Sequence, residues 1–119
     1  MTVVVKDNGF GIKNVIIDEP KTYNSLSFKT LNILIDVFKR LERDNKTRVI
    51  ILSGNGKGFS AGHNLKEVKN LKVRSKYLKL FNLCSKLMLN IVEGRKPVIA
   101  KVHGSAFAAG CQLAASCDL

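Results

Sequence analysis

Residues 106–116, AFAAGCQLAAS, are small or apolar at almost every position and follow the turn His103-Gly104-Ser105. The run Val98–Val102 before the turn predicts a buried strand, and the run after it predicts a helix buried on all sides. The first N–H groups of a helix have no partner inside it. The N–H of Ala109 could therefore stabilise a carbonyl oxygen that becomes anionic, as half of an oxyanion hole. The small residues could equally serve only to pack the helix against a sheet.

A second stretch of the same kind, GNGKGFSAGHN, occupies residues 54–64. It does not match a phosphate-binding loop, because its Gly-Lys is followed by glycine instead of serine or threonine. Its glycine spacing also departs from the dinucleotide-binding pattern. The stretch brings Ser60-Ala61-Gly62, with little side chain, to the start of a predicted helix at Asn64–Asn70. The backbone N–H of His63 is then a second candidate donor to a carbonyl oxygen.

The remaining groups that could do chemistry are two histidines and three cysteines, namely His63, His103, Cys84, Cys111 and Cys117. Either histidine could act as a general base, because histidine titrates near neutral pH. No Ser–His–acid set and no metal-ligand spacing accompanies them, so no metal site is expected. The odd cysteine count without CxxC spacing indicates buried, reduced thiols in an intracellular protein.

The order of the apolar patterns predicts an α/β fold. Residues 2–6 and 12–18 are β-branched runs around a glycine loop, which indicates a hairpin. Ser27 is a candidate N-cap for a helix that reaches Leu41. The continuous run at residues 48–53 predicts a strand buried on both faces. A long helix is predicted at residues 72–93, with a buried stripe that comprises Tyr77, Leu80, Phe81, Cys84, Leu87, Met88 and Ile91.

The length of 119 residues suits one domain, and the sequence contains no repeat or linker. Because the last predicted helix is apolar all round and the sequence stops directly after it, we expect residues 1–119 to be the N-terminal part of a larger domain, incomplete at its C-terminus. We also expect an exposed apolar patch on this chain.

The chain is basic, with 20 Lys and Arg against 9 Asp and Glu, and ten of the basic residues lie between Lys66 and Lys101. A nucleic-acid partner, a polyanionic small molecule or a solvated lysine-rich surface would each explain this bias. Aromatic residues are not interleaved with the basic ones, which disfavours stacking on nucleic acid. No membrane span, signal peptide or presequence is evident, so we expect a soluble cytoplasmic protein, with the mitochondrial matrix as the alternative.

Several segments resemble the crotonase, or enoyl-CoA hydratase/isomerase, superfamily. They are PKTYNSL at 20–26, GFSAGHNLKE at 58–67, KPVIAKVHG at 96–104, AAGCQLA at 108–114 and CDL at 117–119. The resemblance covers the whole chain. It implies a ClpP/crotonase-like spiral of ββα turns, of which this chain would form the N-terminal portion. It also implies assembly into a homotrimer or hexamer.

The resemblance further implies that the N–H groups of His63 and Ala109 form the oxyanion hole for the carbonyl of a CoA thioester. The implied substrate-binding residues are Lys21, Thr22, Ala61, His63, Asn64, Leu65, Lys66 and Ala109. Residues 61–66 would line the adenine and pantetheine path, and Lys21 and Thr22 would lie near the CoA phosphates. CoA is part of the substrate, so no separate cofactor is implied. Neither a nucleic acid nor a membrane is implied as a partner.

Gln112 departs from the family pattern, because hydratases carry a glutamate there that handles the proton of water. Glutamine cannot exchange a proton as a carboxyl group does. The family also usually has glycine where this chain has Ala108 and Ala109, and the second hydratase glutamate would follow Leu119.

We therefore expect acyl- or enoyl-CoA thioester binding in fatty-acid metabolism, by a lyase of the hydratase/isomerase family when full length. One alternative is a non-catalytic acyl-CoA-binding or regulatory protein of the same fold. The other is a basic nucleic-acid-associated module.

Overall fold

A four-stranded sheet organises the computed structural model, which describes residues 2–119. The strands are β1 at Val3–Asp7, β2 at Ile12–Ile17, β3 at Val49–Gly54 and β4 at Val98–Lys101. They lie in the order β1-β2-β3-β4. β1 pairs antiparallel with β2 as the expected hairpin, whereas β2, β3 and β4 run parallel. The parallel pairs need crossover connections, and helices supply them.

The helices are α1 at Phe28–Arg43, α2 at Leu65–Asn70, α3 at Arg74–Glu93 and α4 at Ala109–Ser116. A single 3-10 turn at Pro20–Thr22 precedes α1. Ser27 is the N-cap of α1, as expected, and its side chain accepts a hydrogen bond of 3.2 Å from the N–H of Thr30. This bond satisfies one of the donors left free at the start of a helix.

The core lies between one face of the sheet and the helices α1 and α3. On that face Val15, Leu52 and Ala100 are in register across the three parallel strands, and Val15 and Leu52 are fully buried. The opposite face, which includes Ile51, is half-buried. The expectation that β3 is buried on both faces is therefore wrong for this chain, because the helices α1 and α3 lie over one face only.

Two of the predicted helices begin later than expected. Helix α3 begins at Arg74, two residues after the predicted start. Helix α4 begins at Ala109 and not at Ala106, because Ala106 forms a parallel bridge with Ser60. This bridge holds the chain before α4 in an extended conformation. Ala109 is consequently the first residue of the helix.

Three burial predictions are wrong for the described residues. Helix α4 buries only the face that carries Ala109, Gly110 and Leu113, so it is not buried on all sides. Phe81 is exposed, although the helical spacing assigned it to the buried stripe of α3. Cys111 is exposed on α4, whereas Cys84 is buried and Cys117 is half-buried. Helical periodicity identifies the apolar face of a helix but not whether another element covers it.

Within residues 2–119, no helix is long and apolar enough to cross a membrane. The large exposed apolar side chains in the described part of the chain include those of Phe10, Leu65, Val92, Phe107 and Leu119. These side chains are distributed over several elements, and the expected apolar patch stays a prediction.

Candidate functional site

The site lies at the edge of the sheet where the parallel strands end. β2, β3 and β4 all point to this edge, so the loops that follow them come together there. These loops are residues 18–26 after β2, residues 55–64 after β3 and residues 102–108 after β4. Ligands of α/β proteins bind preferentially at the carboxyl ends of parallel strands.

The loop after β3 delivers His63 immediately before helix α2. Gly62 has φ of +89°, a conformation that glycine adopts without strain. Asn64 caps α2, and its side chain accepts a 3.2 Å hydrogen bond from the N–H of Glu67. The backbone N–H of His63 has no hydrogen-bond acceptor among residues 2–119. It is thus free to donate to a ligand.

The loop after β4 delivers Ala109 in a comparable position. Ala109 begins α4, and its N–H has no acceptor within the part of the chain that the structure describes. The next N–H groups are engaged, since that of Gly110 donates to the carbonyl of Phe107 at 2.8 Å and that of Gln112 to the carbonyl of Ala108 at 3.0 Å. Ala108 has φ of +49°, which is strained for a residue with a Cβ.

The two loops are joined by main-chain hydrogen bonds. The N–H of Phe107 donates to the carbonyl of Ser60 at 3.0 Å, and the N–H of Phe59 donates to the carbonyl of Ser105 at 2.9 Å. A Cβ built on Gly62 would lie 3.2 Å from the nitrogen of Ala109. The residue directly before His63 therefore lies beside the second donor, with little room for a side chain between them. The structure brings the two predicted donors together.

The loop after β2 fastens this arrangement from the other side. Asn24 is fully buried, and its amide nitrogen donates to the carbonyls of Asn55 at 2.8 Å and Gly58 at 2.9 Å. The N–H of Ala61 donates to the carbonyl of Tyr23 at 2.9 Å. Asn24 has φ of +56°, a region that asparagine tolerates better than most residues. Asn24, from the PKTYNSL segment, thus holds the glycine-rich loop in place through its side-chain hydrogen bonds.

A groove of about 340 Å³ runs along the outer side of these loops. Its wall comprises Lys21, Thr22, Tyr23, Ser25, Ala61, His63, Asn64, Leu65 and Lys66. All the residues that the sequence assigned to substrate binding lie in this wall, except Ala109, which is buried beneath Gly62. Tyr23 and Ser25 were not predicted, although they belong to the PKTYNSL segment that carried the resemblance.

A second cavity of about 390 Å³ shares Tyr23 and Ala61 with the groove. Its other lining residues are Lys57, Gly58, Ser105 and Phe107. Lys57, Lys21 and Lys66 are all exposed around the two openings. The edge of the sheet therefore combines apolar walls with cationic side chains, which suits a ligand that has both an apolar portion and an anionic portion.

The histidine side chains differ in their surroundings. The ring of His63 lies edge-on to Phe81 with 5.3 Å between centroids, and its Nδ1 is buried without a partner among the described residues. The Nε2 of His103 is 2.6 Å from the carbonyl of Gly56. This contact ties the turn after β4 to the glycine-rich loop. Glu67, the acid nearest His63 in sequence, accepts a 2.9 Å hydrogen bond from the N–H of Phe28.

Gln112 lies on α4, three residues after Ala109, and is exposed. Ala109, in contrast, lies on the buried face of this helix with Gly110 and Leu113. Cys84 and Cys117 do not offer a thiolate there. Burial and the nearby Asp118 raise the pKa of Cys117 to about 11, and burial raises the pKa of Cys84. Within residues 2–119 no three His, Cys, Asp or Glu side chains cluster as metal ligands.

The fold and the paired loops define a crotonase-type protein, and comparison with known proteins confirms the family. Residues 7–119 match the family described as Enoyl-CoA hydratase/isomerase. The chain belongs to this family.

Among curated relatives, human enoyl-CoA hydratase domain-containing protein 3, mitochondrial, is 43% identical over 109 residues, which is 92% of this chain and 36% of the relative. The crystal structure of the human protein superimposes on the whole chain with a TM-score of 0.94 at 39% identity, and 47% of that structure is covered. An enoyl-CoA hydratase from Mycobacterium smegmatis gives 0.97 at 40% identity, with 46% covered. The chain thus spans between a third and a half of the proteins it matches.

These comparisons confirm the crotonase-like fold expected from the sequence. The structural matches reach 100% of this chain with identities near 40%. The word "mitochondrial" in these names describes the relatives and not this chain.

Proposed function

We propose that this chain binds an acyl- or enoyl-CoA thioester and that the N–H groups of His63 and Ala109 donate hydrogen bonds to the thioester carbonyl. One observation supports this more than any other. Two backbone donors without acceptors among residues 2–119 lie in adjoining loops, and a Cβ added at Gly62 would lie 3.2 Å from the nitrogen of Ala109. Preorganised donors of this kind stabilise a carbonyl oxygen as it gains negative charge.

The groove supports CoA as the carrier of that thioester. Lys21 and Lys66 lie in its wall and Lys57 lies in the adjoining cavity, so cations are available for phosphates. The small side chain of Ala61 leaves the backbone beside His63 accessible to a flat or extended ligand group. CoA is bound here as part of the substrate, and the proposal needs no separate cofactor.

Gln112 limits the chemistry that we propose. It lies three residues after Ala109 on α4, and its amide cannot accept and return a proton as a carboxylate does. The proposal therefore commits this part of the protein to binding and polarising the thioester. The names of similar proteins, which include enoyl-CoA hydratases and a dienoyl-CoA isomerase, support unsaturated acyl-CoA molecules and fatty-acid metabolism as the setting.

A backbone donor is tested by removing the N–H while keeping the side chain. Lactate in place of Ala109 achieves this, because it replaces the amide with an ester and keeps the methyl group. Residues 84–119 can be synthesised with this change and ligated to the rest of the chain at Cys84. Proline at 109 is a poorer choice, because Ala108 at φ +49° and ψ −119° does not have the conformation required before proline. A net hydrogen bond contributes about 1 kcal/mol, so affinity for butyryl-CoA should fall about fivefold.

The infrared stretch of butyryl-CoA labelled with ¹³C at the thioester carbonyl gives the second readout. Hydrogen bonds to a carbonyl lower this frequency, so the bound ligand should absorb below its value in water with the native chain and recover towards it with the ester. Free CoA, which lacks the carbonyl, should bind both chains equally. A lactate at Ala115, on the same helix, controls for helix stability. Equal frequencies in the native and Ala109-ester chains would falsify the oxyanion assignment.

Assembly into a homotrimer or hexamer and the choice between cytoplasm and mitochondrial matrix stay predictions from the resemblance and from the sequence. The mitochondrial names of the relatives support the matrix.

A further inference from the structure

We propose that Ser60 is a positioning residue that sets the separation and direction of the two backbone donors. The inference rests on the proposed function, because it concerns the same pair of N–H groups. Ser60 is buried, with 1% of its surface exposed, and it lies between the loop that carries His63 and the loop that carries Ala109. It does not line the groove, so its influence on a ligand must act through its neighbours.

The hydroxyl of Ser60 fixes the first donor. It accepts a hydrogen bond of 3.2 Å from the N–H of Gly62, and it donates one of 2.8 Å to the carbonyl of Asn24. The first bond orients the peptide between Ala61 and Gly62, directly before the peptide that carries the N–H of His63. That next peptide is also held by Leu26, whose N–H donates to the carbonyl of Gly62 at 2.7 Å. The second anchors the same hydroxyl to a residue that is itself fully buried and held by its own amide.

The main chain of Ser60 fixes the second donor. Its carbonyl accepts from the N–H of Phe107 at 3.0 Å, two residues before Ala109. A Cβ built on Gly110 would overlap the same carbonyl oxygen, so the first turn of α4 rests against it. A single residue thus contacts both loops, through the side chain on one side and through the carbonyl on the other.

The hydroxyl of Ser60 therefore affects the position of the donors, in addition to having its own hydrogen bonds satisfied. Without it, the N–H of Gly62 loses its acceptor and the turn at φ +89° loses the bond that closes it. The peptide between Ala61 and Gly62 can then rotate and shift the residue that precedes His63, while Leu26 still holds the carbonyl of Gly62 and the second donor stays in place. The expected defect is in the alignment of the two donors, and the groove that holds the CoA portion is left intact.

Ser60→Ala removes the hydroxyl, and Ser60→Cys replaces it with a somewhat larger thiol, which is a weak hydrogen-bonding group. Thr47→Val is the matched control. Thr47 is also buried, its hydroxyl donates to Asp44 at 2.7 Å, and it lies before β3, at the opposite end of the strand from Ser60. All three variants of the full 119-residue chain are compared with the native chain, with ¹³C-carbonyl butyryl-CoA and free CoA as probes.

The expected result is that Ser60→Ala loses at least half of the carbonyl frequency shift seen with the native chain, or splits the band into two populations. Ser60→Cys should give an intermediate shift. Affinity for free CoA should stay within about threefold in both variants, because the groove is unchanged. Thr47→Val should lower the unfolding midpoint while leaving the frequency shift at its native value.

The inference is overturned if Ser60→Ala and Ser60→Cys bind the thioester with the native frequency shift. It is also overturned if Thr47→Val changes the shift as much as they do, because general loosening would then explain the effect. If Ser60→Ala does not fold, Ser60→Cys decides between these outcomes by the same measurement. Failure of the proposed function itself looks different, since the native chain would then show no shift at all.

Discussion

The two loops that carry the candidate donors both place a free backbone N–H next to the start of a helix, but different interactions stabilise them. In the loop after β3, Gly62 supplies the left-handed conformation without strain and Asn64 caps the following helix with its side chain. In the loop after β4, Ala108 adopts a positive φ in spite of its Cβ, and no side chain caps α4. The first loop is stabilised by its own residues and by the loop after β2, whereas the second is stabilised by contacts with the first.

The contacts of the second loop show this dependence. Phe107 donates to the carbonyl of Ser60, and Ala106 forms its bridge with the same residue. Backbone strain of this kind persists only where the surroundings over-determine it, and it concentrates at functional sites. Weakening the contact between the loops should therefore displace Ala109 before it displaces His63.

Gly110→Ala tests the contact between the two loops and should cause the largest change in the free energy of unfolding. Glycine to alanine within a helix ordinarily stabilises by about 1 kcal/mol, but here the new Cβ would overlap the backbone carbonyl of Ser60. Overpacking against a fixed backbone costs about 1–3 kcal/mol or more, so we expect a net loss of about 2 kcal/mol in the free energy of unfolding. Urea denaturation of the variant and the native chain gives the measurement.

Ala115→Gly is the matched control for Gly110→Ala, because Ala115 is exposed on the same helix and reports helix propensity alone. It should cost about 1 kcal/mol. If Gly110→Ala instead stabilises the chain, the first turn of α4 does not rest on Ser60, and the second loop is independent of the first.

The sequence predicted the elements well and identified the two loops that carry the candidate donors, because both follow from short-range patterns. The N-cap at Ser27, the glycines before His63 and the run of small residues at the start of α4 are all local signals. The strands are confirmed to within two residues of their predicted ends. The resemblance added the groove residues, of which all but Ala109 line a single wall.

What the sequence did not predict depends on contacts between distant residues. Ser60 and Asn24 are 36 positions apart, and no periodicity connects them. The strain at Ala108 is invisible for the same reason, because alanine by itself favours a negative φ. The exposure of Phe81 also follows from tertiary structure, since helical spacing cannot show whether another element covers that face.

Gly62→Ala also tests how closely the two loops pack, with a smaller expected change in the free energy of unfolding. The new Cβ would lie 2.9 Å from the carbonyl oxygen of Phe107 and 3.2 Å from the nitrogen of Ala109, at a φ of +89°. Gly9→Ala is a matched control, because Gly9 has φ of +78° and a Cβ added there would have nothing within 4 Å of it. Both variants bear the cost of the positive φ, and only Gly62→Ala adds a clash.

We expect Gly62→Ala to lose about 1 kcal/mol more in the free energy of unfolding than Gly9→Ala, because the clash adds to a shared cost of about 1 kcal/mol. Urea denaturation of the two variants measures the difference directly. Equal losses would mean that the loops have room between them, and the close approach of Gly62 to the second donor would no longer hold.

Ala108→Gly should cause the smallest change in the free energy of unfolding. Unlike Gly110→Ala and Gly62→Ala, it should stabilise the chain. Glycine relieves the strain of φ +49°, which costs about 1–3 kcal/mol, but it also increases the entropy of the unfolded chain by about 0.4–1 kcal/mol. The net expectation is a gain of about 1 kcal/mol, seen as a higher urea midpoint with an unchanged slope. Ala115→Gly, without strain to relieve, should change stability in the other direction. A loss at Ala108→Gly comparable to that at Ala115→Gly would show that the second loop is not strained and that both donors are held with equal ease.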